Sequence, residues 1–410
     1  MGEHHGHSRV LIYSHDSFGL GHLRRCQTIA HALAEHRRDL TVLILSGSPI
    51  IGNFSFCHRV DFVRIPGIIK LQHGDYMPLN LDIGIEETLG IRAEIIRRTA
   101  EAFRPDIFLV EKEPLGLRGE VKDTLTMLKA RGAGLVLGLR DVMDEPAQLA
   151  EEWERKNAAP ALIDLYDSIW VYGLPQICNA LEGIALPAST LAKVHYTGYL
   201  RRSTTGTESV AGRPVPMPRE PFILVTTGGG GDGALLIDWV LRAYEADPGI
   251  PYPALLVLGP FMRSAEQGGF IERAARLPAV ETITFEPKME DLMAAAAGVV
   301  AMGGYNTFCE ILSFDKPALL VPRTAPRMEQ YIRAERASSL GLVRMMAGDG
   351  RRQPQAMAAL LRSLPHQRKP SEIRIRGLLE GLPAINRLVD AWLGAPVVEQ
   401  PRLSAGAQVP

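Results

Sequence analysis

The chain has 410 residues, with 45 lysines and arginines against 46 aspartates and glutamates, a formal net charge of -1, 46% hydrophobic residues and 22% charged ones. That length exceeds what one hydrophobic core organises, so two domains are expected, and the composition is that of a folded chain, not a disordered one. The balanced charge supplies no field toward nucleic acid or an anionic membrane, which leaves small molecules as the expected partners.

Cys26, Cys57, Cys178 and Cys309 are scattered without a C-x-x-C pair, a pattern that speaks against a disulfide framework or a zinc site and fits a reducing compartment. The polar, histidine-rich start (His4, His5, His7) lacks the apolar stretch of a signal peptide. No run approaches the ~20 apolar residues that span a bilayer. The expectation is a cytoplasmic protein without a transmembrane segment, with peripheral contact at the inner face of the membrane left open.

Short, continuously apolar runs at 10–13, 42–45, 107–110 and 135–137 alternate with stretches of helical spacing. Strands of that kind are covered on both faces and belong to parallel sheets. Residues 14–22 follow the first run as Ser-His-Asp-Ser-Phe-Gly-Leu-Gly-His, and Leu23, Cys26, Ile29, Ala30 and Leu33 then mark a helix face. Gly19 and Gly21 therefore sit in a strand-to-helix turn, where glycine permits close approach and the helix start presents unpaired N–H groups. His22 stands at that helix start as a candidate general base, since a near-neutral pKa suits removal of a hydroxyl proton; the plainer reading is a packing or capping histidine.

A strand at 61–65 and a helix at 85–103 bracket a long loop, 66–84, that contains His73, Asp75, Tyr76 and Asn80. Loops of that length often bind ligands, which makes it a candidate acceptor element, with a disordered loop as the equal alternative. Arg140 and Asp141 follow the strand at 135–139, at the end where such sheets bind ligands. Asp141 is a candidate to orient His22, with a helix cap or a surface pair with Arg140 as the alternatives. Residues 201–221, rich in Ser, Thr, Gly and Pro, read as a linker between an acceptor-side domain at 8–200 and a second domain at 222–392.

The second series of strands falls at 222–225, 254–258, 282–285, 298–301 and 318–321, with helices at 328–340 and 371–392 and a fraying tail at 393–410. Its first strand ends in Thr226-Thr227 followed by Gly228, Gly229, Gly230 and Gly231, then Asp232 and Gly233 before a helix. Consecutive glycines expose backbone N–H groups and the helix dipole adds partial positive charge, which suits a diphosphate. Further on come Gly303, Gly304, Thr307 and Glu310, then Val321-Pro322-Arg323, then Glu329-Gln330-Tyr331. Glu310, in the first turns of a helix, is a candidate to accept both ribose hydroxyls of a nucleoside. Arg323 and Arg327 flank the same loop and read either as phosphate contacts or as surface charges.

This second half resembles the C-terminal donor domain of the family 28 glycosyltransferases, the family of the N-acetylglucosaminyltransferase of peptidoglycan synthesis. The matching residues are Gly304, Thr307, Glu310, Val321, Pro322, Glu329, Gln330 and Tyr331, with Glu329 where that family has a first glutamine; Gly19, Gly21 and His22 resemble its N-terminal glycine loop. The resemblance implies an α/β fold of two doubly wound, Rossmann-like domains facing a cleft, of GT-B type. It also implies Glu310 on the ribose, Gln330 near the donor sugar, the loop from Thr227 to Gly230 at the diphosphate, a UDP-sugar as donor and a lipid-linked or glycan acceptor, while the departure at Glu329 leaves the transferred sugar open. The run Gly19-Leu20-Gly21-His22-Leu23-Arg24-Arg25-Cys26 is also similar to the nucleotide-sugar hydrolases of pseudaminic acid synthesis.

The expected activity is metal-independent, inverting hexosyl transfer from a nucleotide diphosphate sugar to an alcohol, without a cofactor, the sequence having no Asp-x-Asp pair to hold a cation. A hydrolase or epimerase of the same fold and a non-catalytic nucleotide-sugar binder are the alternatives. A nicotinamide-dependent oxidoreductase ranks last, because neither glycine turn has the dinucleotide spacing with an acidic residue about 20 positions on.

Overall fold

The protein is described by a computed structural model that covers residues 7–15, 21–71, 75–204, 218, 221–286, 288–347 and 352–395. The first half runs β1 (Ser8–Ser14), α1 (Gly21–His36), β2 (Leu40–Ser46), β3 (Val60–Arg64), β4 (Ile68–Lys70), β5 (Tyr76–Pro78), α2 (Ile85–Phe103), β6 (Ile107–Glu111), α3 (Lys122–Ala130), β7 (Gly134–Arg140), α4 (Pro146–Arg155), α5 (Ala158–Asp164), β8 (Ser168–Tyr172), α6 (Ala188–Leu191) and β9 (Val194–Tyr196). The second runs β10 (Ile223–Thr226), α7 (Ala234–Ala246), β11 (Ala254–Val257), α8 (Ser264–Ala274), β12 (Val280–Ile283), α9 (Met289–Ala295), β13 (Gly298–Ala301), α10 (Tyr305–Ser313), β14 (Ala318–Leu320), α11 (Glu329–Ser339), β15 (Arg344–Met345), α12 (Pro354–Ser363) and α13 (Gly381–Leu393).

Each half builds one parallel sheet, in the order β3-β2-β1-β6-β7-β8-β9 and β12-β11-β10-β13-β14-β15. The continuous apolar runs are the reason: β6 and β10 are buried along their whole length, which only a sheet covered on both faces allows. Helix α1 covers one face by turning Leu23, Cys26, Ile29, Ala30, Leu33 and Ala34 inward. In both sheets the winding reverses beside the first strand, between β1 and β6 and between β10 and β13. A doubly wound sheet opens a crevice at such a point, outside the carboxyl ends of its strands.

Three features differ from the expectations. The loop at 66–84 contains an antiparallel hairpin, β4 with β5, whose tip, including His73, lies outside the described residues. Strands beyond those expected extend both sheets, β8 and β9 the first and β15 the second. The final helix starts at Gly381 instead of near 371, because the preceding segment is tied to the first domain. The Tyr199 N–H donates to the Leu378 carbonyl at 2.8 Å and the Gly381 N–H to the Tyr199 carbonyl at 3.1 Å. Gly198 and Gly377 both take a positive φ where these backbones cross, and a Cβ on Gly198 would lie 2.2 Å from the Gly377 oxygen. Only glycine tolerates that approach.

Helix α13 consequently packs on α1 of the first domain, with Ile385 and Val389 in the core that also holds Ile29 and Leu33. Asp390 there pairs with His36 at 2.8 Å and with Arg37 at 3.0 Å. The chain thus crosses twice between the sheets, and no described helix is long and apolar enough to cross a membrane.

Candidate active site

At the first switch point, β1 leads through buried His15 toward α1, and Gly21 and His22 form the first turn of that helix. Residues 16–20, with Gly19, lie outside the described residues. His22 Nδ1 stands 2.9 Å from the Arg25 guanidinium and 3.8 Å from the carboxylate of Glu111, the last residue of β6. Arg25 and Glu111 are both buried and bonded to each other through the arginine Nε at 2.6 Å. Burial, followed by the positive charges of Arg25, Lys112 and Arg140, holds the His22 pKa well below the ordinary histidine value. His22 is therefore neutral at neutral pH.

Which ring nitrogen carries the proton decides what His22 can do. With an arginine N–H at Nδ1 the proton rests on Nε2; Nε2 becomes a free base when Nδ1–H faces Glu111 instead. Asp141 does not take that part. Its carboxylate is fully buried and held by Arg333 of α11 at 2.6 and 2.7 Å and by the Tyr199 hydroxyl at 2.7 Å. The expectation that Asp141 orients His22 is corrected accordingly: strand order places β6 next to β1, so the carboxylate beside the histidine is Glu111, and Asp141 ties the two domains together.

At the second switch point, Thr227 is buried and donates its hydroxyl to the Leu258 carbonyl at 2.7 Å, whereas Gly228, Gly229 and Gly231 are exposed. Gly230 has φ +88, and a Cβ there would lie 2.4 Å from the Leu258 oxygen. The loop is thus pressed backbone to backbone on the turn after β11, a packing that side chains would forbid. Asp232 lies 2.5 Å from Arg323, which also pairs with Glu329 at 2.9 Å, and the Arg323 N–H donates to Gln330 Oε1 at 3.3 Å. One arginine therefore joins the glycine loop to the Glu329-Gln330 segment. Arg327 instead reaches the first domain, with Asp144 at 3.3 Å and Glu152 at 2.8 Å.

Gly304 caps α10, Thr307 is half-buried on its first turn, and Glu310 is 2% exposed. The Glu310 carboxylate sits 2.9 Å from Arg24 of α1, which also pairs with Glu290. Burial pushes the Glu310 carboxyl above its ordinary value while Arg24 pulls it back. The starts of α1 and α10 touch directly, the Asn306 amide donating to the Gly21 carbonyl at 3.1 Å and accepting from Arg202 at 2.9 Å. In the 66–84 segment, Tyr76 lies between Lys70 and Arg118, whose charges are 5.7 and 5.8 Å from its ring centre, and Asp75 and Asn80 are exposed.

Glu111, Arg25 and Arg24 went unnoticed in the sequence. The signal available for Glu111 was its place at the carboxyl end of an apolar strand; what it touches depends on strand order.

These elements give two Rossmann-like domains meeting across a cleft at their switch points, the GT-B arrangement. Residues 223–372 match the glycosyltransferase family 28 C-terminal domain. A curated relative from Streptomyces coelicolor, UDP-N-acetylglucosamine–N-acetylmuramyl-(pentapeptide) pyrophosphoryl-undecaprenol N-acetylglucosamine transferase, is 26% identical over 239 residues, 54% of this chain and 61% of the relative. An uncharacterized glycosyltransferase of Methanosarcina acetivorans is 27% identical over 402 residues, 92% of this chain and 96% of that protein. Among solved structures, a UDP-glucosyltransferase from Polygonum tinctorium superposes with a TM-score of 0.61 at 14% identity, over 94% of this chain and 98% of that one.

Fold and family match define the class as a glycosyltransferase of the GT-B fold. More particularly, its second domain matches the C-terminal domain of glycosyltransferase family 28 over residues 223–372.

Proposed function

We propose that the chain transfers a hexosyl group from a nucleotide diphosphate sugar, a UDP-sugar, to a hydroxyl acceptor, lipid-linked or part of a glycan, with inversion and without a metal ion. The observation that carries this reading is the pair of facing switch points, with a neutral histidine at one and an exposed glycine loop at the other. In this reading His22 Nε2 takes the proton of the acceptor hydroxyl, with Glu111 receiving Nδ1–H. The hydroxyl oxygen bonds to the anomeric carbon as the bond from that carbon to the diphosphate oxygen breaks. The electron pair leaves with the nucleoside diphosphate, and attack opposite the leaving group inverts the centre.

Backbone N–H groups of Gly228 to Gly231 and the start of α7 would receive the diphosphate charge, with Arg323 adding a cation at the same loop. Glu310 would accept the ribose hydroxyls, Thr307 and Gly304 would line the same helix start, and Glu329 and Gln330 would meet the sugar. UDP is favoured by the name of the Streptomyces coelicolor relative. General-base assistance of this kind contributes about 10²–10⁴-fold in rate.

The test is calorimetry of the full chain against UDP, GDP, ADP and dTDP, followed by incubation of the matching nucleotide sugars with and without alcohols. The reading expects UDP to bind best and acceptor to accelerate donor loss strongly. Equal donor consumption without acceptor would make the chain a hydrolase of the same fold, and binding of none of the four nucleotides would remove the donor site.

A further inference from the structure

Glu310 and Glu290 share one cation, and that cation comes from the other domain. Arg24, just after His22 on α1, pairs with Glu290 in the first turn of α9 and stands 2.9 Å from Glu310 Oε1 on α10. All three side chains are largely buried, with 21% of Arg24, 13% of Glu290 and 3% of Glu310 exposed. The contact with Glu290 is a hydrogen bond, whereas that with Glu310 is an ion pair, and Glu310 Oε1 is buried without a hydrogen-bond partner among the described residues. The other arginine that acts on Glu310, Arg202, is committed to the Arg24 carbonyl, the Thr28 hydroxyl and the Asn306 amide oxygen. One guanidinium thus answers two carboxylates, and Glu290 holds it in the better geometry.

A carboxylate that accepts two ribose hydroxyls has both oxygens turned to the nucleoside. In this structure Arg24 stands on one oxygen of Glu310 and the side chain is almost wholly covered. The domains do not have to part for the arginine to leave, because the backbone around it is held independently. The Asn306 amide donates to the Gly21 carbonyl at 3.1 Å, and Arg202 donates to the Arg24 carbonyl at 3.3 Å. The long Arg24 side chain can therefore swing toward Glu290 while the start of α1, with His22, stays where it is.

We infer that Arg24 is a counter-ion exchanged on donor binding: it covers Glu310 as seen here and moves wholly onto Glu290 when the ribose hydroxyls take its place. Glu290 makes the exchange feasible, since a largely buried guanidinium released without a carboxylate is costly to hold. Arg24 and Glu290 are positioning residues that touch no part of the donor. They set its affinity through competition, the apparent affinity falling with the fraction of molecules in which Glu310 is covered. The inference rests on the reading of Glu310 as the ribose residue and adds to it two residues that tune the same site.

The experiment measures, by calorimetry on the full chain, the affinity for UDP and for 2′,3′-dideoxy-UDP in wild type, Arg24→Met, Glu290→Gln, the double variant and Glu310→Ala. Arg24→Met should bind UDP tighter by about threefold or more, although it removes a cation from a protein that binds an anion. Glu290→Gln should bind UDP weaker by about threefold or more, because Arg24 then has only Glu310 to hold. The double variant should bind like Arg24→Met, since without the arginine Glu290 has nothing to receive. Wild type and Arg24→Met should bind the dideoxy nucleotide alike, as it brings no hydroxyls to the freed carboxylate. Damage to the fold weakens binding of both nucleotides and tightens neither, so the opposite signs of the two single variants separate exchange from damage.

UDP affinity that is unchanged or weaker in Arg24→Met, while Glu310→Ala weakens binding, would overturn the inference and leave the ribose assignment standing. Should Arg24→Met not fold, UDP binding by Glu290→Gln at or above the wild-type affinity overturns it alone. Equal UDP binding by wild type and Glu310→Ala would remove the ribose assignment and the exchange with it, and failure of wild type to bind UDP would remove the donor reading as a whole, the exchange included.

Discussion

A single imidazole sets the working pH of this site. Burial and three nearby cations disfavour the charged form of His22, so the histidine stays available as a base below the pH at which an exposed one would be half protonated. Because its folded pKa is depressed, the unfolded chain binds the proton first. The stability His22 contributes is full above the ordinary value of 6.5 and is lost as pH falls toward the lowered value. Lys112 behaves in the opposite pH range: burial, with repulsion from Arg140 and Arg327 against the pull of Glu113, brings its amine down to about 8. The fold resists that charge, a penalty that fades as pH rises from about 8 toward the ordinary lysine value of 10.5. A profile of kcat/KM should therefore have its acid limb below 6.5. An acid limb at or above the ordinary histidine value would contradict the role given to His22.

The elements that place these residues were legible in the sequence to different depths. The glycine turns after β1 and β10, and Glu310 on α10, could be read because each is a local pattern: an apolar strand, a glycine run and a helix face. Glu111 could not, since its meeting with His22 requires β6 to lie next to β1, and neither could Arg24, whose pairing with Glu310 requires the two domains to close. The start of α13 escaped for the same reason, because Gly377 and Gly381 are fixed by the backbone of Tyr199 and not by their own neighbours in sequence. Asp141 is the instructive case. A carboxylate at the end of β7 looked like catalytic support, yet the element opposite it, α11, brings Arg333 to both of its oxygens. Removing one partner from such a buried pair costs about 3–5 kcal/mol. Asp141→Ala and Arg333→Met should each lower the unfolding midpoint clearly, and the double variant by less than the sum of the two. Additive losses would mean that the pair does not act as a unit.

On the scale of the whole molecule, the two sheets are joined by α13 on α1, by Arg333 on Asp141, by Arg327 on Asp144 and Glu152, and by Arg24 on Glu290 and Glu310. The arginine contacts join the domains near the strand ends, whereas α13 seats on the far end of α1, and His22 belongs to the first domain and Gly228 to Gly231 to the second. The most direct measurement of that division of labour is single-turnover kinetics with UDP affinity in parallel, on wild type, His22→Ala and Glu310→Ala, with the anomeric configuration of the product read by NMR. The account predicts that His22→Ala keeps UDP affinity and loses about 10²-fold or more in the transfer step, that Glu310→Ala loses UDP affinity, and that the product is inverted. Transfer by His22→Ala at the wild-type rate, or a product with retained configuration, would contradict it.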